Sequence, residues 1–151
     1  MDTRVLIIGC GDVGKRVARA WEDRGAHVSA LARSEPTTEM LSRLGIDPIA
    51  GDLDQAETLH GLPTHDELIY YFAPPPDQGT DDPRMKAFLG AIEGDALPAR
   101  IVYIGTTGVY GDHQGQWVDE TTPDNPQNDR ARRRIAAEQA LSQWGQQHGV
   151  P

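Results

Sequence analysis

The stretch that most constrains this chain is Arg4-Val5-Leu6-Ile7-Ile8-Gly9-Cys10-Gly11-Asp12-Val13-Gly14-Lys15-Arg16-Val17. Four apolar, mostly β-branched residues run into Gly-x-Gly-x-x-Gly. Val13, Val17, Ala20 and Trp21 then recur at i, i+4, i+7 and i+8. Strand, tight turn and amphipathic helix, in that order, form the setting in which three such glycines hold a dinucleotide. Gly9 is expected to permit the sharp turn, Gly11 to let the backbone approach a pyrophosphate, and Gly14 to let the helix pack on the strand. Cys10, Asp12 and Val13 complete the loop and the helix start, whose unpaired N–H groups and positive dipole end suit phosphates. The competing reading is a strand-to-helix turn that merely needs small residues.

The rest of the chain alternates in the same way. A first helix is expected to stop at Gly25, and His27 to Ala32 reads as a second strand. Ser34 is placed to cap a second helix with Pro36 in its first turn and Gly45 at its end. A short strand over 48–50 leads into Gly51-Asp52-Leu53, with a brief helix over 55–59. Leu68 to Ala73 is a continuous apolar run, as in a central parallel strand, and Pro74-Pro75-Pro76 stops it. Asp82-Pro83 opens a helix carrying Met85, Phe88, Leu89 and Ile92. Residues 100–104 form the fifth strand, 112–129 a long surface loop, and 129–147 a last helix with Ala137, Ala140, Leu141 and Trp144 on its apolar face. This pattern predicts one α/β domain: a doubly wound parallel sheet in the order 3-2-1-4-5, helices on both faces, and a ligand crevice where the winding reverses.

Composition narrows the partners. A net charge of −9 argues against nucleic acid and anionic membranes. No apolar run approaches the ~20 residues of a membrane span. Cys10 is the only cysteine, so no disulfide forms within the chain, which fits a reducing cytoplasm. The first strand begins by residue 4, which leaves no room for a signal peptide. The five histidines are scattered without metal-ligand spacing, and no metal site is expected.

Taken together, Gly9 to Gly14, Gly51-Asp52-Leu53, Thr106-Thr107-Gly108-Val109-Tyr110-Gly111-Asp112, Val118-Asp119-Glu120 with Pro123 and Pro126, and Ala136-Ala137-Glu138-Gln139 resemble the extended short-chain dehydrogenase/reductase superfamily. They look most like its atypical, NAD-dependent epimerase/dehydratase-like branch. The resemblance implies a Rossmann-type NAD(P)-binding domain. It places Asp52 and Leu53 at the adenine end of the cofactor, Ala73 and Pro74 along its ribose, and Thr106 where the family has its catalytic Ser or Thr. Two plainer readings stay open: Asp52 as a turn or capping residue, and Thr106 as a hydroxyl satisfying backbone groups at a strand end.

The sequence also departs from that family. Its members use Tyr-x-x-x-Lys one helix after the Thr, and the matching positions here are Arg130 and Arg134. A guanidinium stays protonated and cannot cycle a proton as a phenol does. Arg134 can bind phosphate or ribose, and the plainer reading of Arg130, Arg132, Arg133 and Arg134 is a solvated helix face. Extended members continue into a substrate-binding region, and the expectation is a cofactor half alone, 1–151. At the end of the second strand, where NAD-selective domains carry a carboxylate, stands Arg33, followed by Ser34 and the start of a helix. That predicts NADP in preference to NAD, with Glu35 as the residue that works against it. The fifth strand, Ile101 to Ile104, reads as a central strand left at an edge, which predicts a homodimer or poor solubility. The function expected is a dinucleotide-binding oxidoreductase domain, catalytically incomplete as this chain and with its small-molecule substrate unspecified. The alternatives are a non-catalytic NADP-binding redox sensor and a truncated gene product without activity.

Overall fold

The computed structural model describes residues 3–151. Five strands form one parallel sheet in the order β3-β2-β1-β4-β5: β1 Arg4–Ile8, β2 His27–Ala32, β3 Asp47–Ala50, β4 Leu68–Tyr71 and β5 Arg100–Tyr103. Helices α1 (Asp12–Glu22), α2 (Glu35–Arg43), α3 (Pro83–Gly90) and α4 (Asp129–His148) connect and cover it. Short 3₁₀ turns lie at Ala56–Leu59 and Thr107–Tyr110.

The side-chain alternation of β1 divides the core. Val5 and Ile7 face Val28, Ala30, Ala18 and Leu41, with Trp21 and Met40 alongside, on the α1/α2 side. Leu6 and Ile8 face Ile69, Tyr71, Met85, Phe88 and Ala137 on the α3/α4 side. Residues 5–8 of β1 are fully buried, as a strand covered on both faces must be. The expected 3-2-1-4-5 order and two-sided helix cover are therefore observed.

Local signals act as the sequence suggests. Ser34 Oγ accepts from Thr37 N, with Pro36 in the first turn of α2. Asp82 Oδ1 accepts from Arg84 N and Met85 N at 3.0 and 3.1 Å, ahead of Pro83. Gly149 ends α4 at φ +68°.

Three expectations need correction. β4 ends at Tyr71, short of Ala73, because Phe72 N and Ala73 N both donate to Ile8 O (2.7 and 3.0 Å) and turn the chain toward the glycine loop. The fifth-strand edge is not wholly open, since Ile101 N donates to Pro151 O at 3.0 Å; Val102 and Ile104 remain exposed. Arg133 is not part of a solvated face: it is 8% exposed.

Candidate functional site

Three glycines meet three different demands at the end of β1. Gly9 sits at φ +93°, and a Cβ there would lie 2.4 Å from Ala73 N and 2.7 Å from Ala73 Cα. The turned end of β4 thus needs this glycine as much as the tight turn does. A Cβ at Gly14 would approach Gly9 O at 3.0 Å and Ile7 Cγ2 at 3.2 Å, which is the close helix-on-strand packing expected. A Cβ at Gly11 would meet nothing within 4 Å. No protein atom requires a glycine at Gly11, so the space beside it is open to a ligand. Gly11 is also the N-cap of α1 and no side chain caps the helix, which leaves first-turn N–H groups for an anion. Asp12, at the first position of α1, pairs with Arg16 at 3.1 Å, which offsets its charge there.

Around this turn lies a crevice of about 550 Å³. It gathers Gly9, Cys10, Gly11, Arg33, Asp52, Leu53, Ala73 and Pro74 from the loops after β1, β2, β3 and β4. Asp12, Val13, Gly14, Ser34 and Thr106 do not line it. Burial pushes the Cys10 thiol above its ordinary pKa, so it is a poor nucleophile and serves as a small spacer. Ser34 is spent on its cap, and its Oγ lies 2.9 Å from Thr37 Oγ1. Pro36 carries no N–H and Thr37 N is already bonded, so the start of α2 offers fewer free donors than the sequence suggests. Thr37 itself lines the crevice.

Asp52 takes the turn role considered for it while standing at the crevice. Its Oδ1 accepts from Asp54 N at 2.9 Å, its backbone N–H donates to Thr58 Oγ1 at 2.8 Å, and it still borders the crevice. A Cβ at Gly51 before it would lie 2.8 Å from Leu31 Cδ1, so a larger residue there requires the Leu31 side chain to shift.

The sequence reading missed Arg84. From α3 its Nε and Nη2 grip Asp54 Oδ1 and Oδ2 at 2.7 and 2.8 Å, and its Nη1 donates to Pro74 O at 3.0 Å. One guanidinium therefore fixes the loops after β3 and β4 against each other at the crevice wall. The Arg84 hydrogen bonds hold the Asp54 carboxyl below its usual pKa. A depressed folded-state value means that this stabilisation is complete above the unfolded pKa of about 4 and disappears as pH falls through the folded value. Arg84→Met is expected to cost about 1–2 kcal/mol at pH 7, discounted for the half-exposure of Asp54. Urea melts at pH 7 and pH 3 check this: the wild-type advantage over the variant should shrink at the lower pH.

Thr106 lies on the far side of the proline turn. It is the N-cap of the second 3₁₀ turn, and its Oγ1 accepts from Gly108 N at 3.3 Å, so the plainer reading of this hydroxyl is realised. Its own proton stays free to donate. A second cavity of about 550 Å³ joins Gly105 and Thr106 to Pro74–Asp77 and to Arg130, Arg133 and Arg134. Arg134 Nη2 donates to Ile104 O and Gly105 O, and its guanidinium lies 5.1 Å from the Tyr103 ring centroid. Another cavity, about 740 Å³, is elsewhere, an apolar groove between β5 and α4 bordered by Ile101, Tyr103, Leu141 and Trp144. It has none of the glycine-loop donors. Among the described residues no cluster of metal-binding side chains occurs, and no helix is long and apolar enough to cross a membrane.

The family model for the NAD dependent epimerase/dehydratase family matches residues 5–151. The chain belongs to this family. A similar curated protein is the 4-hydroxy-2-methyl-3-oxo-4-farnesyl-3,4-dihydroquinoline-1-oxide ketoreductase of Stigmatella aurantiaca. It is 34% identical over 123 residues, a match covering 76% of this chain and 37% of that protein. The fold matches the UDP-Glc/GlcNAc 4-epimerase of Campylobacter jejuni with a TM-score of 0.80 at 18% identity, covering 97% of this chain and 50% of that one. It also matches the UDP-glucuronic acid 4-epimerase of Bacillus cereus, solved in complex with NAD, with a TM-score of 0.73 at 17% identity, covering 99% and 54%. This epimerase/dehydratase-family chain thus spans about half the length of those structures and 37% of the ketoreductase.

Proposed function

We propose that this family domain binds a nicotinamide dinucleotide across the crevice at the β1/β4 switch point. The open, uncapped Gly11 turn carries the reading: its glycine has no protein neighbour to accommodate, and α1 presents donors there. The pyrophosphate meets that turn. Asp52 and Leu53 border the adenine end, and Ala73 and Pro74 border a ribose. The B. cereus epimerase, which carries NAD, supports a cofactor of this class.

NADP is favoured over NAD. Arg33 is exposed, lines the crevice and, among the described residues, forms no ion pair, so its guanidinium is free for a 2′-phosphate. Glu35 does not line the crevice, which removes the main objection. One charge-assisted hydrogen bond contributes about 1.5–3 kcal/mol, a preference of roughly tenfold or more. Calorimetric titration of NADP⁺ and NAD⁺ against wild type and Arg33→Ala tests it. The preference should vanish in the variant through loss of NADP⁺ affinity alone; equal wild-type affinities, or equal weakening of both, remove Arg33 as the discriminator.

A bound nicotinamide supplies or accepts hydride. Thr106 polarises a substrate oxygen by donating its hydroxyl proton into a hydrogen bond. The parent reaction is hydride transfer at a hydroxyl/carbonyl centre of a sugar nucleotide or similar molecule. As this chain, cofactor binding outlasts catalysis, because the positions of the family's Tyr and Lys hold Arg130 and Arg134. That same observation favours a second reading, a redox-sensing binding protein. A reducing cytoplasm suits the single Cys10. Self-association through the exposed part of β5, Val102 to Ile104, is the assembly we favour, and a strictly monomeric mass by light scattering at micromolar concentration would count against it.

A further inference from the structure

The second cavity has an unusual charge balance. Its wall carries three guanidinium groups, of Arg130, Arg133 and Arg134, and one carboxylate, of Asp77, in a chain of net charge −9. None of the three arginines forms an ion pair among the described residues. Arg133 is 8% exposed, yet its Nη1 has a single acceptor, Gly79 O at 2.8 Å, and its Nε has none. Arg134 Nε is likewise buried without an acceptor. Burying a cation is costly unless it is paired, and buried donors are rarely left unmet. A wall of this kind lacks an anion, and the cavity has room for one. Thr106 also lines the cavity and adds a hydroxyl donor.

We propose that this cavity is an oxyanion subsite, taking a carboxylate or phosphate group of the molecule that meets the cofactor. The substrate class is therefore anionic. The assignment of the bound molecule as substrate rests on the dinucleotide reading above; the subsite itself does not. The two spaces adjoin through Pro74, Pro75 and Asp77, which line both. Under this assignment a dinucleotide with its pyrophosphate at Gly11 and its nicotinamide beside Thr106 must leave the Arg130 side of this cavity to a second ligand. Arg130 is the adjustable contact, because it is exposed and its side chain forms no hydrogen bond among the described residues, whereas Arg134 is committed to Ile104 O and Gly105 O. Arg133 supplies the fixed charge behind it. The residues at the family's Tyr and Lys positions thus recognise charge instead of moving protons.

The test uses the ¹⁵N-labelled chain titrated with inorganic phosphate at constant ionic strength, with chloride as control. The arginine Nε–Hε signals and the Gly105 and Thr106 amides are read. The expected result is saturable shifts at these groups, unchanged when NADP⁺ is saturating, with affinity lowered roughly tenfold in Arg130→Gln, the loss of one charge-assisted contact. Arg130→Lys should recover part of it. Arg130 is exposed, so both variants keep the wild-type amide dispersion. The proposal is overturned if the shifts match those of chloride, if Arg130→Gln binds phosphate as the wild type does, or if NADP⁺ displaces phosphate, which would make the anion the cofactor's own. NADP⁺ shifts at Gly9–Gly14 in the same spectra report on the dinucleotide reading separately. Their absence alongside saturable phosphate shifts would refute that reading and leave the subsite standing.

Discussion

Gly9→Ala should unfold or severely destabilise the domain, while Gly11→Ala should cost far less stability and act mainly on dinucleotide binding. The two residues are neighbours in one loop and receive the same methyl group. At Gly9 that methyl would lie 2.4 Å from Ala73 N, at a backbone φ of +93° that alanine rarely adopts. Such strain costs about 1–3 kcal/mol, and forced overpacking against backbone about as much again. Ala73 cannot retreat, because its N–H and that of Phe72 are both held by Ile8 O. The sum, roughly 2–6 kcal/mol, is a large share of the ~5–15 kcal/mol that holds a domain together. At Gly11 the backbone has φ −80°, which any residue adopts, and no atom lies within 4 Å of the new methyl. Stability should fall by only about 0.5–1 kcal/mol, the cost of alanine where glycine caps a helix. A phosphate held close to that backbone would be pushed away, losing at least about tenfold in affinity through weakened charge-assisted hydrogen bonds. Urea melts and cofactor titrations of the two variants separate these effects. Equal destabilisation would mean that Gly11 is a folding residue only.

The second large effect is on turnover. The chain should show no NAD(P)H consumption above background with a panel of sugar nucleotides and simple ketones. A positioned proton donor contributes roughly 10²–10⁴-fold, and Arg130 cannot serve as one. The phenols of Tyr71 and Tyr103 do not replace it. Burial pushes Tyr103 up to about 12, and burial raises Tyr71 further still, so neither accepts or yields a proton readily near neutral pH. Absorbance decay at saturating cofactor is the measurement. Turnover that Thr106→Ala abolishes would show a working catalytic site and overturn this expectation.

What could be read beforehand, and what could not, follows from the range of each interaction. The β1–turn–α1 unit was legible because its demands are local: strand, turn and helix occupy Arg4 to Val17 without interruption. Ser34 and Asp82 act within a few residues, and they too were legible as the starts of helices; the end of α4 was open between Gly145 and Gly149, and Gly149 is the stop. Arg84 was not, since its partners Asp54 and Pro74 O lie 30 and 10 residues away and nothing local marks the meeting. The second role of Gly9 was hidden for the same reason, because Ala73 arrives from β4. Arg133 is a different case. Steps of four back from Leu141 through Ala137 reach it, so the apolar stripe of α4 already pointed to burial. Its charge argued for solvent, and packing prevailed. Ser34 Oγ serves the cap as an acceptor from Thr37 N and lies 2.9 Å from Thr37 Oγ1, so its hydroxyl is shared within the first turn of α2.

The most direct test is where the cofactor binds, because the apolar groove between β5 and α4 competes with the crevice assigned to it. Amide chemical shifts of the ¹⁵N-labelled chain, recorded on addition of NADP⁺, decide between them. The expected perturbations fall on Gly9 to Gly14, Arg33, Asp52, Leu53 and Ala73, and they disappear in Gly11→Val. Perturbations confined to the groove of Ile101, Tyr103, Leu141 and Trp144, or none at all, would contradict the dinucleotide site.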